Sequence, residues 1–265
     1  MPTYKPPVRD SLFILDEVLH IGQYAALPGF AEASADTVAS ILEEGGRFAE
    51  EVIQPLNRSG DEQGCTRHAD GRVSAPDGFR EAYAKFVEGG WGGLAGDPAF
   101  GGQGLPHVVA TAFEEYMIAA NMAFTMYPML TQGAIAAIRA VATPEQQQRF
   151  IPPMVEGRWT GTMNLTEPHC GTDLGLLRTR AEPQADGSYH MTGTKIFISS
   201  GEHDLTENII HLVLAKLPDS PDSVKGISLF IVPKVIVNPD GSLGARNAVT
   251  CGSIEEKMGI HGNAT

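Results

Sequence analysis

The sequence predicts an α+β fold in which a helical half precedes a β half. Three observations carry this. Apolar residues recur at helical spacing from about Ser34 to Glu156. After Arg158 the β-formers gather in short runs of strand length. The two patterns follow one another and do not alternate, which argues for two lobes over a βαβ sheet.

Each element has its own signal. Leu12, Phe13, Leu15, Val18 and Leu19 predict a short amphipathic helix that packs on another part of the chain. Ser34 and Asp36 are candidate N-caps ahead of Val38, Ile41, Leu42, Phe48, Val52 and Ile53, and Pro55 is expected to stop that helix. Ser74, Pro76 and Asp77 are expected to start a second, through Phe79, Tyr83, Phe86 and Val87 to Gly89-Gly90. A third is expected from Pro106 to Phe124 and a fourth from Leu130 to Val141. Thr143-Pro144-Glu145 reads as a cap with proline in the first turn of a helix ending at Glu156-Gly157. Strands are expected at Tyr189–Ser200, Ile209–Lys216 and Ile227–Val232, separated by turns at Ala185-Asp186-Gly187, Pro218–Asp222 and Asn238–Gly241. The expected organisation is an extension at 1–35, a helical domain at 36–157 and a β domain at 158–265.

Composition narrows the function. Of the 265 residues 42% are hydrophobic and 19% charged, which fits a folded core. A net charge of −13 disfavours sequence-independent binding to nucleic acid or anionic lipid. No stretch approaches a membrane span, and the N-terminus does not read as a signal peptide. Cys65, Cys170 and Cys251 are scattered and odd in number, so free thiols in a cytoplasmic protein are expected, with no metal centre.

The densest polar motif sits where the pattern changes: Met163-Asn164-Leu165-Thr166-Glu167-Pro168-His169-Cys170-Gly171-Thr172-Asp173. Lys195-Ile196-Phe197-Ile198-Ser199 follows, and Glu255-Glu256-Lys257-Met258-Gly259 stands near residue 265. Gly101-Gly102-Gln103-Gly104 lies in the helical half. No strand precedes that glycine loop, so a dinucleotide fingerprint is not expected and a structural loop is.

In order and spacing these four motifs resemble the acyl-CoA dehydrogenase family, over about residues 36 to 265. Tyr4–Asp10 resembles the N-terminal extension of the larger bacterial members. The resemblance implies a mostly antiparallel, barrel-like middle β domain and an FAD cofactor. It implies removal of a proton from the α-carbon of an acyl-CoA thioester and of a hydride from its β-carbon. It places flavin contacts at Met163, Leu165, Thr166, Gly171, Thr172, Phe197 and Ser199. Thr166 and the backbone near Met163 and Leu165 would serve the pyrimidine edge, and Ser199 the region of N5 and O4. Phe197, tryptophan in many relatives, would wall the ring, while Gly171 and Thr172 would approach the pyrophosphate. His169-Cys170, Ser200 and His261 depart from the family's usual residues.

The catalytic base is expected beyond Thr265, in a C-terminal helical bundle absent from this sequence. Glu167 belongs to the turn and is not assigned that role. The expected partners are an acyl-CoA substrate, an acceptor of the electron-transfer flavoprotein type, and further copies of the full-length chain. The competing readings are a non-catalytic flavin or acyl-CoA binding module and a flavin relative such as an acyl-CoA oxidase. Met122, Met126 and Met129 are read as core, with an apolar acyl channel as the alternative.

Overall fold

The computed structural model describes residues 3–265. The N-terminal helix α1 (Val8–Phe13) runs on as a π turn to Val18 and buries Leu15. Pro6 and Val8 lie against Gly46 of the next helix, so this extension rests on the helical lobe.

Helix α2 (Ala35–Phe48) starts where Ser34 Oγ accepts from Thr37 N–H at 3.2 Å. The stop expected at Pro55 does not occur. Residues Ala49–Ile53 form a π turn, and Pro55 opens helix α3 (Pro55–Gln63). A proline in a first turn gives up an N–H that has no partner there anyway. A small hairpin of β1 (Thr66–Arg67) and β2 (Val73–Ser74) follows. Helix α4 (Phe79–Glu88) ends before Gly89-Gly90 as expected, but Ser74 lies in β2 and Asp77 does not cap the helix, whose N-cap is Gly78 at φ 84°.

The third and fourth helices meet elsewhere than expected. α5 (His107–Ala120) and α6 (Met122–Val141) break at Asn121 alone. Its Oδ1 accepts from Phe124 N–H at 3.0 Å, and its Nδ2 donates to Ile53 O at 3.1 Å. α6 therefore begins eight residues early and carries Pro128 inside it, at the cost of one backbone hydrogen bond. α7 (Pro144–Val155) has the expected Thr143 cap, made reciprocal by Gln146.

The β lobe holds a five-stranded mixed sheet. β3 (Trp159–Asn164) lies parallel to β6 (Asn208–Lys216), and β7 (Ile227–Pro233) pairs antiparallel with β6. β4 (Arg180–Pro183) and β5 (Tyr189–Thr192) form an antiparallel hairpin that touches β6 at Arg180 and Lys216. β8 (Val235–Val237) and β9 (Leu243–Arg246) form a second hairpin around the Asn238–Gly241 turn. The helices-then-strands order is as expected. Among the described residues the sheet does not close into a barrel, and β3–β6 pair parallel because the long segment 165–207 carries the chain back across.

The strand expected over Tyr189–Ser200 ends at Thr192. Beyond it, Ile196 N–H donates to Thr166 O and the Lys195 ammonium to Leu165 O, so the chain turns onto the 165–167 segment and leaves the β4–β5 ladder. Two cores result. One fills the helical lobe around Leu42, Phe79, Phe113 and Tyr127. The other joins α6 and α7 to β3 and β6 through Ile135, Ile138, Met154, Trp159 and Leu212. Among the described residues no helix is long and apolar enough to cross a membrane.

Candidate functional site

The site begins with one buried carboxylate. Residues Glu167–Cys170 close a tight turn by two backbone bonds, Glu167 N–H to Cys170 O at 2.8 Å and Cys170 N–H to Glu167 O at 3.0 Å. The Glu167 side chain is 3% exposed. It accepts from Arg178 N–H (2.8 Å), Thr179 N–H (3.0 Å), Thr179 Oγ1 (2.5 Å) and Lys195 Nζ (2.9 Å). Burial pushes its pKa up, but these donors together outweigh burial and bring it down to about 2. Lys195 also donates to Leu165 O at 3.1 Å, and Ile196 N–H donates to Thr166 O at 3.0 Å. Two segments nearly thirty residues apart in the chain are thus fastened side by side.

That fastening brings the sequence candidates together. Met163 is 42% exposed at the end of β3, with Leu165 and Thr166 half-buried beside it. A Cβ on Gly171 would come within 3.3 Å of Thr166 Cγ2, so glycine leaves a shallow cradle there. Thr172 is exposed next to it. Phe197 presents its ring to the surface, 45% exposed, from a backbone at φ 58°. For a non-glycine residue that conformation is unfavourable and persists only where neighbours impose it. Ser199 follows, half-buried, and Ser200 is again left-handed at φ 57°.

The neighbours that impose it lie far along the chain. Asn263 Oδ1 accepts from Ser200 N–H at 2.8 Å. Its Nδ2 donates to Ser200 Oγ at 2.9 Å and to Ala123 O in α6 at 3.1 Å. Tyr127 OH donates to Gly262 O at 3.2 Å. Lys257 Nζ donates to Ser199 Oγ at 3.1 Å. Sequence reasoning noted Lys195 and Lys257 only as motif members and missed Asn263 and Tyr127. These contacts span 58 to 140 residues, and no local pattern encodes them.

Glu167, His169 and Cys170 bring their ligand atoms within 4.8 Å of one another. Both Glu167 oxygens already carry donors, one of them a cation, and His169 Nε2 sits 2.9 Å from Leu176 O. The cluster is an ion-paired turn.

Beneath the site runs a buried polar layer. His203 Nδ1 accepts from Leu205 N–H at 3.2 Å, so its Nε2–H donates to Thr160 Oγ1 at 2.9 Å. Thr162 donates its single hydroxyl proton to Asn164 Oδ1, so His211 Nδ1–H must donate to Thr162, and His211 Nε2 is left without a partner among the described residues. Burial, helped by the Lys234 charge, pushes His203 down to about 3 and His211 down to about 4. Unfolded, both titrate near 6.5. The unfolded chain therefore binds more protons below pH 6.5, and the stability held above that pH is lost as pH falls toward 4 and 3. The urea midpoint should begin to drop at about pH 6.5, before the carboxylates titrate. A midpoint flat down to pH 4.5 would refute this.

One cavity opens at the site itself and another lies in the helical lobe. The first, of about 550 Å³, lies between the sheet and the 193–202 segment, lined in part by Asn164, Lys195, His211 and Val213. The second, of about 130 Å³, is lined in part by Trp91, Phe113, Met117, Pro128 and Met129. Of the expected methionine cluster, Met126 is core and Met129 faces this smaller cavity. The glycine loop is structural: Gly102 packs on the Gly96 backbone so closely that any Cβ would overlap it.

Residues 35–158 match the acyl-CoA dehydrogenase N-terminal domain family, and residues 162–265 match its middle domain. A 3-methylmercaptopropionyl-CoA dehydrogenase of Ruegeria pomeroyi is 45% identical over 263 residues, covering 99% of this chain and 45% of that protein. The solved butyryl-CoA dehydrogenase of Megasphaera elsdenii aligns with a TM-score of 0.67 at 24% identity, over 86% of this chain and 53% of that one. An acyl-CoA dehydrogenase complexed with FAD from Bacillus anthracis aligns at 0.63 and 22% identity, over 88% of this chain and 36% of that one. These two likenesses show the fold. The chain spans rather less than half the length of the curated relatives it matches over nearly all of its own residues.

Proposed function

This chain belongs to the acyl-CoA dehydrogenase family, and from that premise we propose that it forms the flavin-holding front of an FAD-dependent acyl-CoA dehydrogenase. The observation that carries the reading is the fastening of 165–167 to 195–196, which joins the segment that holds Thr166 and Gly171 to the one that holds Phe197 and Ser199. The residues present fit a flavin. Phe197 offers a flat apolar wall, Ser199 a hydroxyl, Thr166 and the backbone of Met163 and Leu165 polar groups, and Gly171 with Thr172 close backbone approach. When bound, FAD supplies the hydride acceptor for α,β-dehydrogenation of a thioester.

The chain's own part is to bind, orient and screen. Phe197 covers one face of the ring from water, and Ser199 places a donor where negative charge accumulates. Glu167 stays ionised in its ion pair and moves no proton in the reaction. We assign the proton-abstracting base to a part of the protein outside these 265 residues. The acyl group would extend toward the apolar cavity of the helical lobe, past Met129. An acceptor of the electron-transfer flavoprotein type would reoxidise the cofactor in the cytoplasm, and the intact protein would be a homo-oligomer.

The test adds acyl-CoA thioesters to the intact, FAD-loaded protein without oxygen. Straight, branched or aryl members should bleach the long-wavelength flavin band. Bound FAD that no thioester bleaches would reduce the chain to a non-catalytic flavin-binding module, a reading favoured by the full engagement of Glu167.

A further inference from the structure

The lysines buried in the β lobe are paired. Lys195 meets Glu167, Lys216 meets Asp222, and Lys234 meets Glu202. Lys257 differs. It is half-buried and, among the described residues, forms no ion pair. Its ammonium instead donates to Ser199 Oγ at 3.1 Å and stands 5.9 Å from the centroid of the Phe197 ring. One cation therefore touches both residues that the proposed flavin site depends on most.

The chemistry of the contact is directional. An ammonium only donates, so Ser199 Oγ must accept. A serine hydroxyl has one proton and two lone pairs. Lys257 occupies one lone pair, and Thr265 Oγ1 lies on the other at 3.5 Å. The single Ser199 proton is then directed away from both and is left free for a ligand. The same charge above the ring restrains Phe197, whose left-handed backbone needs outside support.

We propose that Lys257 is a positioning residue for the cofactor: it fixes the Ser199 hydroxyl as a donor toward the flavin and biases the flavin toward its reduced form. The inference rests on the functional reading above. A neutral side chain at 257 leaves the hydroxyl free to rotate and removes the nearby positive charge. Both changes penalise the form that carries more negative charge.

The test measures flavin midpoint potentials of the intact protein by dye equilibration. Lys257→Met and, as a second neutral variant, Lys257→Gln should shift the balance toward oxidised flavin by about tenfold, a midpoint about 30 mV more negative. Lys257→Arg should remain within about threefold of wild type. In a Ser199→Ala background the Lys257→Met shift should fall by half or more, because the lysine acts through that hydroxyl. An unchanged midpoint in both neutral variants overturns the proposal. An undiminished shift without the Ser199 hydroxyl overturns the positioning role. A wild-type protein that takes up no FAD overturns the functional reading itself, and this inference with it.

Discussion

Replacing Glu167 with alanine should destabilise the protein by about 3–5 kcal/mol and abolish flavin uptake. The change leaves the Lys195 ammonium buried without its counter-charge, and it leaves the Arg178 and Thr179 amides without acceptors. The turn at 167–170 and the segment at 195–199 then part, and Thr166 and Phe197 no longer share a surface. Glu167→Gln keeps an acceptor for the amides and should lose less. Lys195→Met in the Glu167→Ala background should recover part of the loss, because it removes the stranded charge. Because the folded-state pKa lies near 2 and the unfolded value near 4.5, the contribution of Glu167 is present above pH 4.5. It drains away between about pH 4.5 and 2. Urea unfolding at pH 7 and at pH 3 checks this, and a Glu167→Ala protein as stable as wild type at pH 7 would contradict it.

Asn263→Ala is the second large effect. Asn263 is 2% exposed and joins three groups: Ser200 N–H, Ser200 Oγ and Ala123 O. Truncation strands buried backbone groups of Ser200 and α6, at a cost of about 3 kcal/mol. Ser200 would also lose the restraint on its left-handed backbone, and with it the placing of Ser199. Asn263→Asp keeps the acceptor for Ser200 N–H but cannot donate to Ala123 O, so about half the loss is expected. Amide exchange at Ser200 should quicken sharply in the alanine variant. Unaltered exchange there, with unaltered stability, would dismiss the assignment.

Much of this fold was legible in the sequence because the signals were local. The Thr143 cap, the Gly89-Gly90 stop and the β6 and β7 strands all rest on residues that read the same in isolation. The errors fall where a distant partner decides. Asn121 breaks α5 from α6 by reaching Ile53. Thr194, Ile196 and Ile198 have β-forming side chains, yet Lys195 and Ile196 bond to the 165–167 turn and end the strand at Thr192. For the proposed site, motif spacing singles out Thr166, Phe197 and Ser199. It could not disclose that Lys257 meets Ser199 and Phe197 or that Asn263 ties down Ser200, since only the folded chain brings these residues together.

The proposed flavin site spans 163–172 and 197–199. Hydrogen–deuterium exchange of the intact protein with and without FAD tests it most directly. Protection should rise at 163–172 and at 195–200 and fade in Phe197→Ala. Protection confined to the helical lobe, or FAD bound with no change at these two segments, would contradict it.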